Sequence, residues 1–88
     1  MQSRMLEEKT FLTQFGKDMK RARREQGMTQ NDLAVQMQLL GVDVSESRVQ
    51  KLETGVLRMS VNEMLVISYL LFIDLNSRAA IYARASGM

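Results

Sequence analysis

Five basic side chains lie close together near the start of the chain and are its clearest candidates for chemistry. The segment 17–24 holds one acid, Asp18, and five bases, Lys17, Lys20, Arg21, Arg23 and Arg24. Since the net charge of all 88 residues is only +2, the positive charge is concentrated here rather than spread along the chain. Such a cluster attracts phosphate groups, and a solvated helix face accounts for it equally well.

The residue types on which most enzymes depend are missing. The chain has no cysteine and no histidine, which excludes disulfides, thiolate nucleophiles, histidine acid–base chemistry and zinc sites with nitrogen or sulfur ligands. The sequence also has no phosphate-cradling glycine loop, nucleophile arrangement or recognisable carboxylate pair. We therefore expect neither an enzyme nor a metal or cofactor site.

Length and composition predict one small folded domain over residues 1–88. Apolar residues make up 45% and charged residues 25% of the chain, which is typical of globular proteins. Glu7, Glu8 and Lys9 interrupt the N-terminal region before any apolar run reaches the length of an export signal. The longest apolar stretch, 64–73, is about half of the roughly 20 residues that a membrane span needs. We expect a cytoplasmic protein without a membrane partner.

Helices separated by single glycines are the predicted architecture, because the chain has no proline and only five scattered glycines. Apolar residues at three- and four-residue spacing predict a first helix over about 7–26, with Gly16 as its weak point. Thr29 and Asp32 match a capping box before a second helix. That helix is expected over about 30–40, and its inward face is expected to consist of Leu33, Ala34, Met37 and Leu40.

Three further helices are expected, which gives an all-α, compact bundle of about five helices. Ser45 caps the third, Gly55 ends it, and Ser60 caps the fourth. The fifth spans about 77–85. For the fourth helix, the predicted inward side consists of Val61, Met64, Leu65, Ser68 and Leu71.

The second and third helices carry a more specific pattern. Residues 27–34 read G-M-T-Q-x-x-L-A, and residues 44–55 read V-S-x-x-x-V-x-x-L-E-x-G. This pattern closely resembles the Cro/C1-type (Xre-like) helix-turn-helix family of bacterial and phage regulators, over about residues 15–75. The resemblance implies a lambda-repressor-like DNA-binding domain with its helix-turn-helix motif at about 29–54. The seven residues 38–44 make a longer connection than the compact form of the family has.

The resemblance also implies roles for single residues. The front of the third helix would read base edges with Glu46, Ser47, Arg48 and Lys51, although Glu46 fits a dipole-favoured first-turn residue equally well. Phosphates would be contacted by Gln30, Ser45 and Arg58, and further phosphate attraction would come from Lys17, Lys20, Arg21 and Arg24. Arg23 and Glu53 would form a structural ion pair that fixes the third helix.

An apolar ridge is expected on the fourth helix. Val66, Tyr69 and Phe72 are spaced by three, and Ile73, Ile81 and Tyr82 could complete the ridge. Such a ridge needs a cover, either residues 76–88 folded back as a capping helix or a second subunit. We favour a homodimer, which would bind a pseudo-palindromic site on double-stranded DNA.

Two classes of function remain. The first is a sequence-specific DNA-binding transcriptional regulator, most simply a dimeric repressor. The alternative is a protein-interaction module with the same fold, such as an anti-activator or an antitoxin-like partner, that acts through the fourth-helix ridge. The small net charge, Glu46 and the apolar ridge favour the alternative, whereas the basic first helix, Arg48, Lys51 and Arg58 favour DNA.

Overall fold

The computed structural model describes residues 7–78, and this part of the chain is all-helical without a strand. The helices are α1 (Glu7–Glu25), α2 (Gln30–Leu39), α3 (Glu46–Thr54) and α4 (Val61–Leu71). Residues 75–78 are again helical at the end of the described range. The all-α prediction is confirmed, while most of the fifth helix expected at 77–85 lies outside the described residues.

Local side-chain caps define where the helices begin. The Thr29 hydroxyl accepts from the Asp32 amide at 2.9 Å, and the Asp32 carboxylate accepts from the Thr29 amide at 2.8 Å. Ser60 and Glu63 form the same reciprocal capping box at the start of α4. The Ser45 hydroxyl caps α3 by accepting from the Arg48 amide. The three caps confirm the predicted helix starts. They could be predicted because capping depends only on residues close in sequence.

The core lies where α1, α2, α3 and α4 meet. Its largest fully buried side chains come from every helix and from the loop before α3: Phe15, Met19, Leu33, Met37, Val44, Val49, Leu52 and Ile67. Phe11 stacks on Phe15 with ring centroids 5.8 Å apart. Each short helix therefore depends on the others for its burial.

Gly16 does not interrupt α1, which continues through it without a break. A Cβ atom at this position would lie 2.5 Å from the Glu53 carbonyl oxygen and 2.8 Å from that of Leu52. These distances are shorter than any real Cβ contact, so only glycine lets α1 approach the end of α3 this closely. The doubt that α1 is continuous at Gly16 is therefore removed, and Gly16 serves the contact between the two helices.

The predicted inward faces need two corrections. Val61 and Leu65 are exposed, and the buried side of α4 consists of Glu63, Ile67 and Leu71. Eight of the eleven positions of α4 are apolar, so hydrophobic periodicity could not show which side faces the core. Leu40 is also exposed, because α2 ends at Leu39 and the chain turns away there.

We predict that Gly16→Ala destabilises the protein, although alanine is intrinsically the better helix former by about 1 kcal/mol. The added methyl group must push α1 away from backbone atoms of α3, which we expect to cost a net 1–3 kcal/mol or so. Urea denaturation measures the free energy of unfolding. Lys17→Ala, at the neighbouring exposed position, is the control and should change it little. An equally stable Gly16→Ala variant would contradict the close approach.

Candidate nucleic-acid interface

One side of α3 is exposed along its whole length. Ser47, Gln50, Lys51 and Thr54 follow each other at three-, one- and three-residue steps, which places them on one face of a helix, and all four are exposed. We call these four residues the α3 outer face. The opposite side of α3 is buried through Val49, Leu52 and Glu53. This short helix therefore presents a polar surface with one lysine.

Three of the four expected base-reading residues are exposed on or beside this face. Ser47 and Lys51 belong to the α3 outer face, and Glu46 is exposed in the first turn of α3. Gln50 shares the face but was not predicted from the sequence. Its position three residues after Ser47 was the signal that could have identified it.

The Arg48 side chain is hydrogen-bonded within the chain. Its guanidinium donates to both carboxylate oxygens of Glu63, at 2.5 and 2.9 Å, and to the carbonyl of Arg58 at 3.2 Å. A bidentate arginine–carboxylate pair is among the stronger polar contacts in proteins. In this structure the side chain joins α3 to α4 and to the loop between them, and base reading by Arg48 stays a prediction.

The Glu63 carboxylate accepts three hydrogen bonds from two residues. It accepts from Arg48 and, as the third residue of the capping box, from the Ser60 amide at 2.8 Å. The Arg48 guanidinium lowers the pKa of Glu63; burial opposes this shift, and the Ser60 amide adds to it. The carboxylate likewise raises the pKa of Arg48. Glu63 is thus held in its charged form.

Arg23 and Glu53 form the ion pair expected from the sequence. The Nε and Nη2 atoms of Arg23 donate to the two Glu53 oxygens at 2.6 and 3.0 Å. Both side chains are buried, with 7% and 2% of their surface exposed. The carboxylate raises the pKa of Arg23, and a further donation to the Met28 carbonyl at 2.8 Å ties in the turn before α2.

Gln30 belongs to the same network. Its amide donates to Glu53 at 3.0 Å, so the side chain predicted to contact a phosphate faces the ion pair in this structure. Ser45 likewise uses its hydroxyl as the cap of α3. Arg58 lies exposed in the loop after α3, and its carbonyl is held by Arg48. Of the three expected phosphate contacts, Ser45 and Arg58 are exposed and Gln30 is half-buried.

The basic residues of α1 form a separate surface. Lys17, Lys20, Arg21 and Arg24 are exposed and line a shallow depression of about 520 Å³ together with Glu25. Their spacing places them opposite the buried side of α1. Arg21 pairs with Asp18 at 2.8 Å, and Arg78 approaches the same carboxylate at 3.5 Å.

The predicted interface residues divide into two groups. Tyr69 and Phe72 are exposed, whereas Val66 and Ile73 are half-buried and pack against the core. The ridge therefore follows a different line along α4 than expected, because the helix is rotated relative to the sequence-based assignment. Ile81 and Tyr82 lie outside the described residues.

Two other kinds of site were sought in the described residues. In the range 7–78, no group of three or more Asp or Glu residues is placed to hold a metal ion. Over the same range, no helix has both the length and the apolar character needed to cross a membrane.

We predict that Arg23→Met alone destabilises the protein by about 3–5 kcal/mol, because it leaves the Glu53 carboxylate buried without its partner. Glu53→Leu alone should destabilise the protein by a similar amount, because it leaves the Arg23 guanidinium buried without its partner. The double variant should lose clearly less than the sum of the two losses, which urea denaturation of all four proteins would measure. Additive losses would show that the two side chains do not depend on each other.

We predict an acid sensitivity that depends on Glu63. Its folded-state pKa lies below the unfolded value of about 4.3, so its stabilising contribution is present above that pH and is lost as the pH falls through the folded-state pKa. The free energy of unfolding should therefore fall less steeply below about pH 4.3 in Glu63→Gln than in the native chain. Asp43→Asn, in the exposed loop before α3, is the control. Identical slopes in Glu63→Gln and the native protein would contradict this assignment.

Comparison with known proteins identifies no relative. The chain matches no protein-family model, no curated protein and no solved structure at a significant level. What the protein binds is therefore inferred from its own sequence and geometry.

Proposed function

We propose that this protein is a sequence-specific DNA-binding transcriptional regulator with a lambda-repressor-like helix-turn-helix formed by α2 and α3. The observation that carries the proposal is the combination of an exposed polar face on α3 with two ion pairs that hold its inner side. Arg23–Glu53 anchors the end of α3 to α1, and Arg48–Glu63 anchors its first half to α4. A helix held this rigidly is suited to presenting side chains to the major groove.

The α3 outer face carries suitable groups for reading bases. A glutamine such as Gln50 can form two hydrogen bonds with adenine, and Lys51 can donate to guanine O6 and N7. Ser47 is permissive toward bases, and Glu46 could accept from the amino group of cytosine. We expect Gln50 and Lys51 to contribute most of the discrimination.

Phosphate attraction would come from outside the α3 outer face. Arg58 flanks it in the following loop, and Lys17, Lys20, Arg21 and Arg24 add positive charge on α1. Each side chain that neutralises a phosphate adds about 0.9 to the slope of log affinity against log salt. This slope separates phosphate contacts from base contacts, since base contacts change specificity instead.

A protein-interaction module is the second candidate, and the hydrogen bonds of Arg48 and Gln30 favour it. Two of the residues expected to meet DNA are occupied within the chain. Glu46 and Asp32 add negative charge at the exposed starts of α3 and α2. A protein partner would tolerate these carboxylates better than the phosphates of DNA would.

We predict that Lys51→Ala and Gln50→Ala each lower sequence discrimination by about 1–3 kcal/mol without unfolding the protein, because both side chains are exposed. The test selects a preferred duplex from random-sequence DNA and compares it with a scrambled duplex by fluorescence anisotropy. Lys20→Ala, a cation on α1, is the matched control and should lower affinity for both duplexes alike. Native protein that binds both duplexes equally would instead support the protein-interaction module.

A further inference from the structure

Glu63 is the one charged residue of α4, and its carboxylate is buried beside the start of α3. No other Asp, Glu, Lys or Arg occurs among the eleven residues of this helix. The side chain of Glu63 is 6% exposed, whereas that of its partner Arg48 is 35% exposed. Burying a carboxylate is costly, and an apolar residue of similar size often packs at least as well as a buried ion pair. The reason for this charge is therefore to be sought in what it does to Arg48.

The Glu63 carboxylate is held in place from its own helix. One of its oxygens accepts from the Ser60 amide at 2.8 Å, and the Ser60 hydroxyl accepts from the Glu63 amide at 3.0 Å. Both hydrogen bonds belong to the capping box of α4 and do not need Arg48. Of the two members of the ion pair, Glu63 is thus anchored, and the more exposed Arg48 is the one that can leave.

Arg48 lies at the border between the buried and the exposed sides of α3. It directly follows Ser47 and comes three residues before Lys51, so its Cβ atom is about 5–6 Å from that of Lys51. Both neighbours belong to the α3 outer face. The Arg48 guanidinium is instead held at α4 by Glu63 and at the following loop by the Arg58 carbonyl. Without Glu63, this long side chain is free to turn toward a phosphate beside the α3 outer face.

The ion pair removes one positive charge from the surface around α3. A guanidinium is always charged and forms paired hydrogen bonds with phosphate oxygens, and such a contact adds affinity for every DNA sequence alike. With Arg48 held by Glu63, the exposed cations left between residues 45 and 60 are Lys51 and Arg58, against the exposed acid Glu46. The surface around α3 is therefore less attractive to phosphates than its sequence suggests.

We propose that Glu63 is a positioning residue that withholds Arg48 from DNA and so limits sequence-indifferent binding by α3. Discrimination then rests on the hydrogen-bonding side chains of the α3 outer face. A specific binder gains from weak affinity for the wrong partners as well as from good contacts with the right one. This inference rests on the proposed function, because it assigns Glu63 a part in binding DNA.

Fluorescence anisotropy with a duplex of scrambled sequence, over a series of salt concentrations, tests the inference. Glu63→Gln should bind this duplex roughly five- to tenfold more tightly than the native chain near 0.1 M salt, with a salt slope larger by about 0.9, because one more cation reaches a phosphate. Glutamine can still accept from the Ser60 amide, and thermal melting identifies a temperature at which both proteins are folded. A merely structural role of Glu63 would not make the variant bind more tightly.

Three further variants identify the source of the gain. Asp43→Asn removes the same charge from the exposed loop before α3 and should leave the salt slope unchanged. The double variant Glu63→Gln with Arg48→Gln should return to the affinity and slope of the native chain. Arg48→Gln alone should keep the native slope, and this comparison does not require Glu63→Gln to fold.

Two kinds of result would overturn the inference. One is an unchanged salt slope in Glu63→Gln, or a gain that persists in the double variant. The other is a loss of sequence discrimination of about tenfold or more in Arg48→Gln alone, since Arg48 would then read bases in the native chain. The scrambled duplex requires no preferred sequence. A native protein that prefers no duplex would thus contradict the proposed function alone, while the response of Glu63→Gln would still decide the inference.

Discussion

The buried pair of Arg23 and Glu53 is the interaction on which the arrangement of helices depends. Arg23 comes from α1 and Glu53 from α3. Arg23 also donates to the Met28 carbonyl, and the side-chain amide of Gln30 donates to Glu53. Three helices and the turn between α1 and α2 thus share one network. A buried charge is tolerated only when its hydrogen bonds are satisfied, so these elements can pack in few other ways.

The position of α3 follows from this network and from two further contacts. Gly16 allows α1 to approach the carbonyl groups at the end of α3, and Arg48 binds Glu63 at the start of α4. A helix of nine residues has little stability of its own. The orientation of α3 is therefore set by contacts with α1 and α4. The polar outer face of α3 takes no part in this packing. That division explains why the exposed side of α3 is the best candidate for recognition.

The sequence predicted those features that depend on neighbouring residues or on a recognised pattern. The caps at Thr29, Ser45 and Ser60 are local, and the Arg23–Glu53 pair came from the family resemblance. The ion-pair partner of Arg48 could not be predicted from the sequence, because Glu63 lies fifteen residues away and no local pattern links the two residues. The rotation of α4 was missed because a helix with apolar residues on all sides does not show in its sequence which side faces the core.

The arrangement of charge has a consequence for the proposed binding to DNA. Arg48 is neutralised by Glu63, and Lys51 on the α3 outer face lies on the same helix as the exposed Glu46. The surface that would enter the groove is therefore nearly neutral, and most of the positive charge lies on α1. Attraction to phosphates would then contribute less at the groove than hydrogen bonds to bases do. A protein of this design would discriminate between sequences more through the shape and hydrogen-bonding groups of α3 than through its charge.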